Sequence, residues 1–263
     1  MTVPDIRPVL IRLLTVARTE IAALTALFVA AVGVVSFVEL ADDMTEADGQ
    51  AFDQQVLALL RPYADDPGRP WGPWWLKEAA ADITSLGGIS VLGLFALIVI
   101  VFLLSQRKWL SSLLLALGLA GGVMLSEGLK AVFERERPPR ALQAVETINA
   151  SFPSGHALLA TVFYLSVAVM LTRAFPRRRF KIFVLGVGMV MALLVGLTRI
   201  YLGAHWATDV FAGWAVGSAW AMLLWLVAYG VARWQKRRRA PLQDEPSPTE
   251  DEAAETVAVP TKV

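Results

Sequence analysis

Three cationic side chains, Lys130, Arg137 and Arg199, stand at the ends of apolar segments, where an uncompensated charge is costly. An arginine guanidinium matches two phosphate oxygens at once, and a lysine ammonium adds a compact point charge. The three residues therefore predict a site for an oxyanion with several oxygens. Taken one at a time, Lys130 and Arg137 could simply reach lipid headgroups, and Glu127 could pair with Lys130.

A second polar cluster, Pro153-Ser154-Gly155-His156, comes directly before an apolar run. This order predicts that a helix begins here with Ser154 near its N-cap. The backbone N–H groups of a first helical turn and the positive end of the helix dipole favour phosphate. The cluster therefore predicts a second part of the same oxyanion site.

The only two histidines of the chain, His156 and His205, both belong to these polar clusters. His205 and Asp209 are four residues apart at a predicted helix start, so the carboxylate can hold one ring nitrogen. The other nitrogen then becomes a better nucleophile or base. His156, on a different segment, is free to donate a proton. The simpler interpretation of each histidine is a hydrogen-bonded residue at the membrane interface.

Composition excludes several classes of protein. The chain has 263 residues, 56% hydrophobic and 18% charged, with a net charge of +1 and no cysteine. A disordered or nucleic-acid-binding chain does not have this composition. Zinc ribbons, cysteine nucleophiles and disulfide scaffolds need cysteine, and two histidines leave little for a histidine-rich metal site. We therefore expect no metal, no cofactor and no nucleic-acid partner.

Six long apolar runs predict the elements that must position these residues. About 20 helical residues cross the hydrocarbon core of a bilayer, and backbone groups in lipid must be satisfied within the helix. The sequence thus predicts an all-α polytopic membrane protein, a bundle of six transmembrane helices. The first run could instead be a signal peptide, and the short fourth run a buried core helix. The runs are Ile21–Leu40, Leu86–Leu104, Leu110–Leu129, Ala157–Leu171, Ile182–Ile200 and Val210–Ala232.

The distribution of lysine and arginine predicts the orientation in the membrane. Two thirds of the 24 basic residues fall on the side that holds both termini and the loops after the second and fourth runs. This side is expected to be cytoplasmic. The three polar clusters then share the extracytoplasmic face of the cell membrane. Arg135 and Arg140 fit no pattern and are assigned to snorkelling toward headgroups or to the rim.

The segments outside the runs suggest three regions. Residues 1–20 predict a basic amphipathic cytoplasmic lead, residues 21–232 the six-span membrane domain, and residues 233–263 a disordered cytoplasmic tail rich in proline and acidic residues. Residues 41–88 predict an extracytoplasmic interfacial helical segment, because Trp71, Trp74 and Trp75 prefer the headgroup level. This segment could also border a lipid entrance.

Together the clusters resemble the three-part signature of the type 2 phosphatidic acid phosphatase family. Lys130, Arg137 and Pro138 match its first part, Lys followed by six residues and Arg-Pro. Residues 153–156 match its second part, Pro-Ser-Gly-His. The third part is matched by Arg199, His205 and Asp209, with Thr198 where the family usually has Ser. The stretch 84–88 is also typical of members, and the similarity covers roughly residues 81–232.

The resemblance implies a metal-independent hydrolysis of a phosphate monoester or pyrophosphate on a membrane lipid, through a phosphohistidine. His205 would attack phosphorus, Asp209 would orient His205, and His156 would protonate the leaving group. The nonbridging oxygens would be held by the Gly155 N–H and by four side chains, those of Lys130, Arg137, Ser154 and Arg199. Expected substrates are undecaprenyl diphosphate, phosphatidylglycerol phosphate or phosphatidate.

Two alternatives stand beside this prediction. One is a vanadate-type oxyanion enzyme on the same residues, although such enzymes are soluble. The other is a protein that binds or transports lipid phosphates without turnover. The expected partners are the membrane and a lipid phosphate, and the sequence points to no protein partner.

Overall fold

The computed structural model describes residues 7–239 apart from Glu146 and Ile148, and the side chains of residues 7–19, 236, 237 and 239 lie outside the description. All regular structure in the described part of the chain is helical. It consists of a 3-10 turn at Arg140–Leu142 and eight α-helices: α1 (Arg7–Asp43), α2 (Ala47–Leu59), α3 (Trp74–Ser85), α4 (Ile89–Ser105), α5 (Trp109–Phe133), α6 (Gly155–Ala174), α7 (Arg178–Tyr201) and α8 (Ala207–Arg239).

Five segments are long and apolar enough to cross a membrane: Glu20–Asp43, Trp109–Phe133, Gly155–Ala174, Arg178–Tyr201 and Ala207–Gln235. A sixth span results if α3 and α4, which meet at a bend of 48°, are taken as one. The predicted all-helical, multi-pass membrane architecture is confirmed. The predicted second run corresponds to α4, and α3 comes just before it on the other side of the bend. Helices α2 and α3 lie between the first two predicted spans, and their interfacial position stays a prediction.

Helix α6, the short fourth run of the sequence, lies at the centre of the helical core. Its residues 157–163 are all buried. Leu158, Leu159 and Val162 pack in one cluster with Leu92 of α4 and Leu115 of α5. Large apolar side chains of α1, α4 and α7 remain exposed instead, which is typical of helices that face lipid.

Small residues let α8 approach α6 closely. A Cβ atom added at Gly213 would lie 2.6 Å from the Ser154 carbonyl oxygen, and one at Gly217 would lie 2.8 Å from the Leu158 carbonyl oxygen. Close helix contact through small residues is common in membrane bundles. The indole of Trp214 then reaches α7 and donates to the Ala192 carbonyl at 3.0 Å.

An aromatic cluster fixes the chain just before α6. Phe152 is fully buried, and its ring centroid lies 5.5 Å from Phe37 of α1 and 5.1 Å from Phe133 at the end of α5. Such ring pairs add to the stabilisation that apolar burial provides. Phe152 is therefore held between α1 and the end of α5.

The chain divides into two units, Met1–Leu226 and Val227–Val263. All site residues below belong to the first unit. In the second unit, α8 continues to Arg239, and the Arg238 guanidinium carbon lies 4.0 Å from the centre of the Trp234 ring. Residues 240–263, most of the expected tail, lie outside the described residues, as do the side chains of most of the expected amphipathic lead. The three predicted regions therefore stay predictions.

Candidate active site

A cavity of about 250 Å³ opens where α5 and α7 end and α6 begins. It brings together residues that are up to 118 positions apart in the sequence. Six of the eight predicted site residues line this cavity: Lys130, Arg137, Gly155, His156, Arg199 and His205. Asp209 and Ser154 are fully buried and lie outside the lining.

A tight turn between α7 and α8 carries His205. Gly203 has a φ of +67°, and a Cβ atom there would lie 2.5 Å from the Leu142 carbonyl oxygen, so the position favours glycine. The N–H groups of Ala204 and His205 both donate to the Arg199 carbonyl, at 3.0 and 3.3 Å. The turn thereby holds His205 close to the end of α7.

The hydrogen bonds of His205 define its tautomer. Nη1 of Arg137 lies 3.2 Å from His205 Nε2. Because an arginine can only donate, Nε2 accepts and the ring proton sits on Nδ1. Nδ1 lies 3.4 Å from Asp209 Oδ2. The lone pair of Nε2 is therefore directed toward Arg137 and away from the carboxylate.

Asp209 is held by four groups besides His205. Its Oδ2 accepts from the Trp206 N–H at 2.9 Å and from the Ser151 hydroxyl, and its Oδ1 accepts from Arg135 Nη1 at 2.6 Å. The Asp209 carbonyl accepts from the Ser154 N–H at 2.9 Å. A buried carboxylate with this many donors keeps a fixed orientation toward His205.

Burial lowers the pKa of His205 to about 4. The hydrogen bond and charge of Asp209 oppose this shift, and the charges of Arg199 and Arg137 add to it. Removal from water disfavours the charged form of an imidazole. His205 is therefore neutral at neutral pH.

Arg137 is fixed mainly by backbone carbonyl groups. It donates to Asn149 O at 2.5 Å and to Ala204 O at 2.7 Å. Burial lowers its pKa, and the charges of Asp209 and Glu127 oppose this. The guanidinium is charged at neutral pH, and none of the described carboxylates forms a salt bridge with it.

Arg199 is more deeply buried, with 7% of its surface exposed. Nη1 donates to the Thr84 hydroxyl at 3.3 Å, and Nε has no hydrogen-bond partner among the described residues. A buried guanidinium that lacks a carboxylate is costly unless an anion joins it. Thr84 thereby connects the stretch 84–88 to the site. The Thr198 hydroxyl instead bonds to the Val195 carbonyl of its own helix, at 2.7 Å.

Lys130 Nζ pairs with Glu127 Oε1 at 2.7 Å, as the sequence suggested. The pair is three residues apart on α5, and Glu127 is half exposed. Gly155 lies directly beside this pair, because a Cβ atom there would lie 2.9 Å from Ser126 Oγ and 3.6 Å from Lys130 Nζ. Only glycine leaves this part of the cavity open.

His156 faces the cavity from the first turn of α6. A Cβ atom at Gly88 would lie 3.6 Å from its Nε2, so the stretch 84–88 passes close to the ring. None of the described carboxylates forms a salt bridge with His156, in contrast to His205. The two histidines therefore occupy different environments on one cavity.

Ser154 is the N-cap of α6, where the sequence located it. Its hydroxyl accepts from the Ala157 N–H at 3.5 Å. Because Ser154 is fully buried, its neighbour Gly155 is the residue that presents this helix start to the cavity.

The assignment of Arg135 to snorkelling or to the rim is wrong. Its side chain is only 11% exposed and forms ion pairs with Asp53 at 2.7 Å and Asp209 at 2.6 Å. Sequence reasoning also missed Asp53 and gave Ser151 no role. A signal for Asp53 did exist, because it stands four residues before buried Leu57 on the inner face of α2.

Among the described residues, no group of three or more histidine, aspartate or glutamate side chains is arranged to hold a metal ion. The cationic side chains of the cavity are suited to an anion instead.

The fold and the cavity define a multi-pass membrane protein with a cavity lined by cationic side chains. Residues 109–233 match the family described as the PAP2 superfamily. Phosphatidylglycerophosphatase B of Bacillus subtilis (strain 168) is 35% identical over 166 residues, which cover 63% of this chain and 79% of that protein. The chain therefore belongs to the PAP2 superfamily, and it is an enzyme of the lipid phosphatase class.

Two further comparisons agree. An undecaprenyl-diphosphatase of Sulfolobus acidocaldarius is 35% identical over 101 residues, which cover 36% of this chain and 45% of that protein. A crystal structure of a transmembrane PAP2 type phosphatidylglycerolphosphate phosphatase from Bacillus subtilis superposes with a TM-score of 0.69 at 28% identity. That superposition covers 81% of this chain and 98% of the other.

Proposed function

We propose that this protein hydrolyses a phosphate monoester or pyrophosphate on a membrane lipid through a phosphohistidine on His205. One observation carries the proposal: Arg137 and Arg199 face the cavity without a carboxylate partner among the described residues, beside the Nε2 atom of an oriented histidine. A phosphate group satisfies both guanidinium groups and places phosphorus near that nitrogen.

In the first step, Nε2 of His205 forms a bond to phosphorus as the bond from phosphorus to the leaving oxygen breaks. His156 donates its proton to that oxygen. Lys130, Arg137, Arg199 and the Gly155 N–H hold the nonbridging oxygens, and the Ser154 N-cap fixes the helix start. Positioning and charge stabilisation are the main contributions of a protein to phosphoryl transfer.

In the second step, a water molecule attacks the phosphohistidine. His156, now neutral, takes a proton from the water, and the N–P bond breaks to release inorganic phosphate and neutral His205. Asp209 stabilises the imidazolium that exists between the two steps. The cycle needs no metal, since cationic side chains neutralise the phosphate charge.

Among lipid phosphates, we propose phosphatidylglycerol phosphate as the first substrate to test. The support is the name of the relative with 79% coverage and the 0.69 TM-score of the phosphatidylglycerolphosphate phosphatase structure. Undecaprenyl diphosphate follows, because a second relative carries that activity in its name. Phosphatidate completes the set.

The test is phosphate release from these three lipids in detergent, with wild-type protein and His205→Ala. We expect release by the wild type, unchanged by EDTA, and a loss of more than about 10³-fold in the variant. Undiminished activity of His205→Ala would overturn the mechanism. Stoichiometric binding of a lipid phosphate without phosphate release would favour a binding or transport protein. Halide oxidation with vanadate and peroxide would favour the haloperoxidase alternative.

A further inference from the structure

Helix α2, which belongs to the segment between the first two predicted spans, makes a buried charged contact with the site. Asp53 is 2% exposed. Its Oδ2 accepts from Arg135 Nη2 at 2.7 Å and from the Thr208 hydroxyl at 2.6 Å, and its Oδ1 accepts from the Thr208 N–H at 3.0 Å. One carboxylate therefore connects α2, the chain after α5 and the start of α8.

Arg135 lies between two buried carboxylates. Nη2 donates to Asp53 and Nη1 donates to Asp209 Oδ1, at 2.7 and 2.6 Å. Nη1 also donates to the Thr208 hydroxyl, at 2.7 Å. Arginine presents its donors in a rigid planar fork, so a guanidinium bound on both sides fixes the position of the second carboxylate.

Asp53, Arg135 and Asp209 form a buried row of charges, and its net charge affects the stability of the His205 imidazolium. Asp53, Arg135 and Asp209 together carry one net negative charge next to His205. Without the charge of Asp53, Arg135 would neutralise Asp209, and the imidazolium of the phosphohistidine state would lose its counter-charge. Charge interactions at this range are strong in a buried site.

We propose that Asp53 is a positioning residue for the nucleophile: through Arg135 it keeps the Asp209 carboxylate aimed at His205 and the charge of the row negative. This inference rests on the proposed function, because it concerns the same reaction. It gives the segment between the first two predicted spans a role in catalysis. Asp53 itself lies outside the lining of the reaction cavity.

The test compares Asp53→Asn with Asp48→Asn, an exposed aspartate in the first turn of the same helix. Asparagine keeps an oxygen that can accept from the Thr208 N–H, so the contact to α8 survives while the charge is lost. We expect kcat of Asp53→Asn to fall about 10- to 100-fold with KM changed less than about twofold. Asp48→Asn is expected to keep wild-type kcat and KM.

Anion binding separates positioning from a general loss of structure. Vanadate forms a bond to a histidine nitrogen, whereas sulfate needs only the cationic cradle. In thermal-shift titrations, we expect Asp53→Asn to bind vanadate at least about 10-fold more weakly and sulfate like the wild type. Equal weakening of both anions, or unchanged kcat in a folded variant, would overturn the inference. A wild type that releases no phosphate and binds neither anion would overturn the proposed function as well.

The double variant Asp53→Asn/Arg135→Gln tests whether the two residues act as a unit. Groups in one buried network have non-additive effects. We expect the double variant to lose no more kcat than the worse single variant, because removing either partner already breaks the row. Multiplicative losses would mean that Asp53 acts independently of Arg135, and would contradict the proposed connection.

A separate observation concerns Ser126. It is 2% exposed, lines the cavity and has a hydroxyl without a partner among the described residues. Lys130 lies four residues later on the same face of α5. A buried hydroxyl without a partner needs an explanation, and this one is in the wall beside Gly155 and Lys130.

We infer that the Ser126 hydroxyl donates to a nonbridging oxygen of the bound phosphate, again within the proposed reaction. For Ser126→Ala we expect KM for the lipid phosphate, and the dissociation constant of sulfate, to rise about 10-fold. Ser112→Ala, a buried serine of the same helix outside the cavity lining, is the matched control and is expected to bind like the wild type. Unchanged sulfate affinity of Ser126→Ala would contradict this contact.

Discussion

The two histidines of the chain differ in their partners, and this difference assigns their proposed roles. His205 has a carboxylate at Nδ1 and a guanidinium at Nε2, whereas His156 faces the same cavity without a carboxylate partner among the described residues. An imidazole that a carboxylate orients through Nδ1 is suited to attack through Nε2 once the substrate's phosphate replaces Nε2 as the partner of Arg137. An imidazole that no carboxylate holds is suited to proton transfer.

Replacing His156 is therefore expected to have an effect that depends on the leaving group. For His156→Ala we expect a loss of about 10²- to 10⁴-fold in kcat/KM with a lipid alkoxide leaving group, because kcat/KM reports the first step and not the later attack of water. The loss should be much smaller with p-nitrophenyl phosphate, whose leaving group needs no proton. His205→Ala should lose activity with both substrates. Equal losses of His156→Ala on both substrates would contradict the role of acid.

The lowered pKa of His205 predicts a pH dependence of stability. The unfolded chain binds a proton at this histidine near pH 6.5, and the folded chain only near pH 4. Since the unfolded state holds more protons in this window, stability is present above pH 6.5 and declines as the pH falls to 4. We expect Tm in detergent to fall in this range less steeply for His205→Asn than for the wild type. Equal slopes would contradict the prediction.

At the scale of elements, the site depends on how closely α8 approaches α6. A Cβ atom at Gly213 would lie 2.6 Å from the Ser154 carbonyl oxygen, so this helix pair sets the position of the helix start that Gly155 presents. The row from Asp53 to Asp209 adds α2 as a third element that contacts the start of α8.

A methyl group at Gly213 should separate these helices. For Gly213→Ala we expect a loss of about 1–3 kcal/mol in stability and a reduced kcat, because the added Cβ would overlap backbone. Gly186→Ala on α7 is the matched control, since a Cβ there meets nothing within 4 Å and alanine favours the helix. Thermal unfolding in detergent measures both. If Gly213→Ala is as stable as Gly186→Ala, the close approach of α8 to α6 at Gly213 does not contribute to stability.

At the scale of the whole molecule, the site must face one side of the membrane. The cavity lies at the ends of α5 and α7 and the start of α6, and the basic residues between α6 and α7 lie at the opposite ends of those helices. The excess of basic residues predicts that this opposite side is cytoplasmic.

The absence of cysteine from the sequence makes this orientation directly testable. Single cysteines at Arg140 and Arg178, both exposed, lie on the two predicted sides. In intact cells we expect an impermeant thiol reagent to label Arg140→Cys and to spare Arg178→Cys, and lysis should expose both. Labelling of Arg178→Cys from outside would reverse the orientation and put the proposed reaction on the cytoplasmic side.

Much of the fold and of the candidate site could be predicted from the sequence, because the signals are local. A run of about 20 apolar residues predicts a helix by its own length, and the spacing of four between His205 and Asp209 predicts a shared face. The N-cap position of Ser154 and the pair between Glu127 and Lys130 depend on neighbouring residues in the same way.

Individual side-chain contacts between distant segments could not be predicted, because no spacing encodes them. Asp53 lies 82 positions from Arg135 and 155 from Thr208, and Arg199 lies 115 from Thr84. A charged residue at a helix end has the same local pattern whether it reaches water or a buried carboxylate, which is why Arg135 was misassigned. The sequence by itself determined the helices and the chemical types at the cavity. Only the tertiary structure decided which carboxylate pairs with each cationic side chain, because the burial of these groups and the distances between them depend on how all the helices pack together.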